Sequence, residues 1–217
     1  MLQVVGVCKG WEGKEVLSEV SFELKKGEII AIIGASGSGK TTLLSIIGGL
    51  MKPSKGRVLF FDHDIHSQKE SQMNIFRNKK IGFIFQTYNL FSGLSLMENI
   101  LLSANIAGHT CKDRAKNLIS LLGLSVKEKN LPGILSCGEQ QRVAIARALI
   151  NEPEIILADE PTGSLDCQTA NEVFSLLKER VKEEKRAMVM VTHNRRLAEE
   201  ADRLFLLERG RLGEVNK

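Results

Sequence analysis

The chain has 217 residues, 43% hydrophobic and 26% charged, the profile of a globular protein with one core or a core plus a small subdomain. A formal charge of +4 is too small to argue for a nucleic-acid partner, because a solvated surface carries it equally well. No apolar run approaches the ~18 to 20 residues of a membrane span, and the opening MLQVVGVCKG lacks the basic-then-apolar order of a signal peptide, so the expected place is the cytoplasm, with any membrane association through a partner.

In chain order, LQVVGV, VSFEL and RVLFF alternate or run apolar and read as strands. EIIAIIG is a short buried strand ending at a glycine-rich turn. TTLLSIIGGL follows as a helix that Gly48 and Gly49 end. The polar run Asp62 to His66 after RVLFF reads as a turn rather than a metal site. From about Tyr88 to Ile150 the signals turn mainly helical, with Ala115, Leu118, Ile119 and Leu122 on one helical face. After Pro153 come the strand EIILAD and a long helix from about Cys167 to Glu184, with Val173, Phe174, Leu177 and Val181 on one face. The strand AMVMVT, a short helix near Arg195 to Glu200 and the hairpin-like RLFLLERGRLGEV complete the chain. The pattern predicts an α/β core interrupted by a helical insertion. Cys8, Cys111, Cys137 and Cys167 form no C-x-x-C or zinc spacing and read as free thiols in a reducing compartment.

Two stretches carry chemistry. GASGSGKT (Gly34 to Thr41) matches G-x-x-x-x-G-K-[ST] between a strand and a helix. Its glycines let backbone N–H groups wrap a phosphate, and the helix N-terminus adds partial positive charge. Lys40 is placed to reach the β- and γ-phosphates, and the Thr41 hydroxyl to bind Mg²⁺. IILADE delivers Asp159 and Glu160 to the carboxyl edge of a buried strand. Asp159 suits Mg²⁺ and Glu160 suits a general base acting on water. A kinase, a GTPase and a transport ATPase all share these two features.

LSCGEQQRVAIARAL, about twenty residues before Asp159, resembles the LSGGQ signature of ATP-binding cassette (ABC) ATPases. In order and spacing, Gln86 in FIFQ resembles the Q-loop glutamine, Ser164 to Asp166 the D-loop, and His193 in VTHN the switch histidine. Trp11 falls where the family places an aromatic that stacks on adenine. DEPTGSLD, RNKKIGFIFQTYNL and the signature are most similar to the branch serving lipoprotein release, macrolide or peptide export, and FtsE-type complexes. Ala35 and Thr41 replace the commoner Pro and Ser, and Ser164 stands where the branch usually has Asn.

The resemblance implies an α/β P-loop NTPase with a RecA-like core of the ABC type, an N-terminal antiparallel β subdomain and a helical subdomain. One domain is expected over 1–217: an α/β catalytic core from 1–87 and 151–217, and a helical subdomain at 88–150 carrying the signature. It implies hydrolysis of ATP to ADP and phosphate in a head-to-tail homodimer driving integral membrane permease subunits, with the protein peripheral on the inner face of the cell membrane. ATP and Mg²⁺ are the implied cofactors. Gly34, Ala35, Ser36, Gly37, Ser38, Gly39, Lys40, Thr41, Thr42 and Trp11 would hold nucleotide. Thr41, Gln86 and Asp159 would serve the metal, and Glu160, His193, Gln86 and Lys40 catalysis. Ser136, Gly138 and Glu139 would close on the ATP of the opposite subunit, and Asp166 would couple the two sites. Ser136 and Glu139 also form the S-x-x-E capping-box pattern. Cys137 replaces the first of two family glycines and reads as a bystander, although a thiol at a helix N-terminus can be reactive. Tyr88, Leu90, Phe91 and Leu94 are the expected contacts for a helix of the membrane subunit. An FtsE-like ATPase driving a membrane complex that moves no substrate is the alternative. A nucleic-acid or ribosome ATPase is disfavoured: Lys40 and Leu135 are too close for a chromosome-type coiled coil, and there is one cassette. The cargo is not encoded here.

Overall fold

A computed structural model describes residues 1–11 and 13–216. β1 (Leu2–Trp11) and β2 (Lys14–Leu24) pair antiparallel. β3 (Ile29–Ile33) starts a separate sheet and feeds α1 (Lys40–Ile47). β4 (Lys55–Phe60) returns to pair with β1, and the two-residue β5 (His63–Asp64) completes a four-stranded sheet in the order β2-β1-β4-β5. The expected turn at 62–66 thus holds a short strand, and Ile65 beyond it is buried.

α2 (Glu70–Lys80) leads into β6 (Ile81–Ile84). α3 (Leu96–Ile106), α4 (Lys112–Leu121) and α5 (Cys137–Leu149) fill the predicted helical stretch. β7 (Ile155–Asp159), α6 (Cys167–Glu183), β8 (Ala187–Val191), α7 (Arg195–Ala198), β9 (Arg203–Glu208) and β10 (Arg211–Val215) follow. The second sheet runs β10-β9-β3-β8-β7-β6. It is parallel except for β10, which pairs antiparallel with β9 through a turn whose Arg209 and Gly210 both have positive φ.

The parallel strands are continuous apolar runs because both of their faces are covered. Alternation assigns each side chain to a face. Ile29, Ala31, Ile156, Ala158, Met188 and Met190 pack with α3 to α6 in one cluster. Ile30, Ile32, Ile155, Leu157 and Val189 pack with α1 and the antiparallel sheet in the other. The sheet therefore separates two cores, and its carboxyl edge presents the ends of β3, β6, β7 and β8 together. Among the described residues no helix is long and apolar enough to cross a membrane.

Candidate active site

The loop after β3 is built for an anion. Gly39 opens α1 at φ 102, a conformation that L side chains rarely adopt, and a Cβ there would meet Leu17 at 3.0 Å. Ser95, Ser136, Asp166 and Asn194 accept hydrogen bonds from the first turns of their helices; Gly39 has no side chain to do so. The first N–H groups of α1 are thus left for an external acceptor. Lys40 is buried, and its Nζ donates to the carbonyls of Gly34 at 2.8 Å and Ala35 at 2.9 Å, which holds the side chain back along its own loop. The Ser38 hydroxyl is buried without a partner. Uncapped N–H groups, an ammonium and an orphaned hydroxyl on one loop fit a polyphosphate.

The next three strand ends face this loop. Asp159 ends β7, and burial pushes its carboxyl up from the ordinary value; the Thr41 hydroxyl opposes this, the Glu160 charge adds to it, and Lys40 opposes it. Glu160 is buried and sits at φ 47, its N–H donating to the Val191 carbonyl at 2.9 Å. Its Oε2 accepts from the Thr192 hydroxyl at 3.0 Å and lies 3.0 Å from His193 Nδ1. The His193 side chain is mostly exposed, so it stands at the rim. Gln86, two residues past β6, is exposed at the same edge.

These groups line one cleft of about 350 Å³. It gathers Ser36, Gly37, Gly39, Lys40, Thr41 and Thr42 from the loop with Gln86, Asp159, Glu160 and His193. Gly34, Ala35 and Ser38 belong to the same loop but do not line the cleft. Trp11 does not line it either. It ends β1, is exposed, and has the Lys9 ammonium 5.3 Å from its ring centroid, while Val16 of β2 supplies the apolar wall. For Mg²⁺, Thr41, Gln86 and Asp159 offer the oxygen donors a hard cation takes, few enough to leave positions for water and phosphate.

The remaining predicted residues form a second cluster outside the cleft. The Ser136 Oγ accepts from the Glu139 N–H at 3.3 Å, and Glu139 Oε2 accepts from the Ser136 N–H at 2.9 Å, a reciprocal capping box at the start of α5. Glu139 Oε1 also takes Lys127 at 2.5 Å. Asp166 caps α6 by accepting from Gln168 and Thr169 N–H groups, both at 3.1 Å. The two helix starts touch: a Cβ on Gly138 would lie 2.7 Å from Thr169 Cγ2. Cys137 is exposed, so a side chain is admitted there and excluded one residue later.

The structure adds Thr192 and Val16 to the site. Sequence reasoning missed both: Thr192 is the one polar residue between the apolar β8 and His193, which by itself names no role, and Val16 gave no signal beyond an ordinary strand valine.

Residues 17–163 match the family model described as ABC transporter. The chain is 46% identical over 200 residues to the lipoprotein-releasing system ATP-binding protein LolD of Rickettsia bellii, covering 91% of this chain and 88% of the relative. It is 44% identical to an uncharacterized ABC transporter ATP-binding protein of Thermotoga maritima, covering 100% and 95%. Among solved structures, the dimeric bacterial ABC transporter cassette MJ0796 is similar over 100% of both chains, with a TM-score of 0.91 and 35% identity. The same cassette as a dimer after hydrolysis, bound to ADP and phosphate, gives a TM-score of 0.90.

Proposed function

The chain belongs to the ABC transporter family as an ATP-binding, ATP-hydrolysing subunit, and from that premise we propose that it powers a lipoprotein-releasing membrane complex from two composite sites in a head-to-tail dimer. One observation carries the composite site. The cleft holds the phosphate loop, Asp159, Glu160, Gln86 and His193, whereas Ser136, Gly138, Glu139 and Asp166 lie outside it. A second copy turned head to tail brings that second cluster to the cleft's open side.

In this reading the α1 N–H groups and Lys40 bind the β- and γ-phosphates, Lys40 exchanging its loop carbonyls for phosphate oxygens. Thr41, Asp159 and Gln86 would hold Mg²⁺, which when bound offsets phosphate charge. Thr192 and His193 both engage Oε2 of Glu160, leaving Oε1 to accept a proton from the attacking water. Water attacks the γ-phosphorus, the bond to the β–γ bridging oxygen breaks, and ADP and phosphate result. Ser136 and Gly138 of the other copy grip the γ-phosphate, and its departure lets the dimer open. Trp11, which does not line the cleft, would stack on the adenine, as the family resemblance implies.

For the membrane partner, we assign a groove of about 620 Å³ between the parallel sheet and the helices of 88–150, the segment we take as the helical subdomain. Phe83, Phe85, Phe91, Leu102 and Ile106 make it apolar, and Phe91 and Ile106 are exposed. An amphipathic helix of a permease subunit fits such a surface, and it would keep the protein at the inner face of the membrane. Of the four residues expected there, Phe91 lines the groove and Tyr88, Leu90 and Leu94 do not.

The test is Glu160→Gln. Turnover should fall at least about 100-fold, the scale of a lost general base, and ATP should trap a dimer visible by size-exclusion chromatography. Hydrolysis at the wild-type rate would refute the assignment of the base.

A further inference from the structure

Gln86 is followed by a turn that the fold holds in a costly shape. Tyr88 and Asn89 are consecutive non-glycine residues with φ 57 and 49, a left-handed conformation that side chains ordinarily avoid. Arg147, in the last turn of α5, holds it from beneath. Its Nη2 donates to the Tyr88 carbonyl at 2.6 Å and its Nη1 to the Asn89 carbonyl at 2.5 Å. Burial pulls the Arg147 pKa down from its ordinary value, so the guanidinium is spent on these two carbonyls at a desolvation cost.

The outer end of the same residue is also tied. The Tyr88 hydroxyl lies 2.6 Å from Ser164 Oγ, in the turn between Glu160 and Asp166. The turn bearing Ser164 in addition packs on Gln86: a Cβ on Gly163 would lie 3.7 Å from Gln86 Nε2. Ser164, the residue that meets this tyrosine, is also where the chain departs from the usual D-loop asparagine.

The geometry points to Tyr88 as a positioning residue whose hydroxyl, bonded to Ser164, locks the segment after Gln86 to the Ser164–Asp166 turn. This rests on the composite-site reading. Gln86 then serves the cleft of its own chain, while Asp166 serves that of the other copy. A rigid turn with Arg147 at one end and Ser164 at the other makes these groups move together. Tyr88 does not line the cleft; it acts through Ser164 and Gln86.

Tyr88→Phe removes one oxygen and leaves the ring. Ser164→Ala removes its partner, and Ser164→Thr keeps a hydroxyl. ATPase kinetics and thermal melting are measured on the 217-residue protein under dimer-forming conditions, beside wild type and Glu160→Gln. Each removal should lower kcat about 3- to 10-fold, the scale of one hydrogen bond, with KM for ATP unchanged and Tm lowered by no more than about 2–4 °C. The double variant should match either single one, because both delete the same bond, and Ser164→Thr should retain wild-type kcat. Wild-type kcat in Tyr88→Phe overturns the proposal, as do multiplicative losses in the double variant or parallel losses of Tm and ATP affinity. Glu160→Gln separates the two readings. If it is inactive while Tyr88→Phe is normal, the ATPase assignment stands and the Tyr88 tie falls.

Discussion

Glu160 shows how much one carboxylate depends on its neighbours. Positive φ turns its backbone so that its N–H still reaches Val191, while the side chain is buried against Thr192 and His193. A carboxylate held by one oxygen keeps the other aimed. Thr192→Val should therefore reduce kcat about 10-fold, as expected for losing a hydrogen bond to a charged group, whereas Thr192→Ser should stay near wild type. Steady-state kinetics with melting curves separates this from misfolding, and full activity in the valine variant would remove Thr192 from the site. The glycine–lysine loop and the acidic pair were legible because spacing alone encodes them. Thr192 was not, because its role exists only where the end of β8 meets the end of β7. The fit of Gly138 was equally hidden: its reason is a methyl group on α6, about thirty residues away in sequence.

Among the elements, the start of α5 carries two loads on one serine. The capping box was readable as Ser136 and Glu139, and the structure forms it in both directions. Ser136→Ala should cost about 1 kcal/mol as a lost cap and move Tm only about 2–4 °C in a chain of this size. ATPase activity should fall far more, because the same hydroxyl would serve the partner's phosphate. If melting and activity decline in step, the serine is a cap and nothing more. The Lys127 ammonium first, then the Ser136 N–H, holds the Glu139 carboxyl below its ordinary 4.5. Its stabilising contribution is present above 4.5 and is lost as pH falls through the lower folded value. Legibility among elements followed periodicity. α1, α4, α6 and the strands β3, β7 and β8 declared themselves by apolar spacing. α2 escaped notice because only Met73 among its residues is buried, so it shows no apolar stripe. β6, four residues long, was seen as the flank of Gln86 rather than as the edge of the sheet.

In the whole molecule, the cleft and the Ser136–Asp166 cluster belong to one chain but do not complete each other within it. A mixing experiment expresses this. Glu160→Gln and Ser136→Ala, each impaired alone, place both defects in one site of a mixed dimer and leave the other site intact. Random pairing should give about a quarter of wild-type ATPase activity if the sites act independently, whereas sites complete within one chain would gain nothing on mixing. Fold class was legible at this scale because alternating strands and helices permit few arrangements; the order of strands was not, since pairing between distant segments leaves no local trace. That order has one more consequence. β3 lies between β8 and β9, whose residues begin at Ala187 and Arg203. The glycine–lysine loop follows β3 directly, so it is translated early and supported late. On the ribosome it emerges as an unanchored strand end, and the central strand must wait for most of the polypeptide before it gains either neighbour. Nucleotide can stabilise the finished cassette, but it cannot template the nascent one.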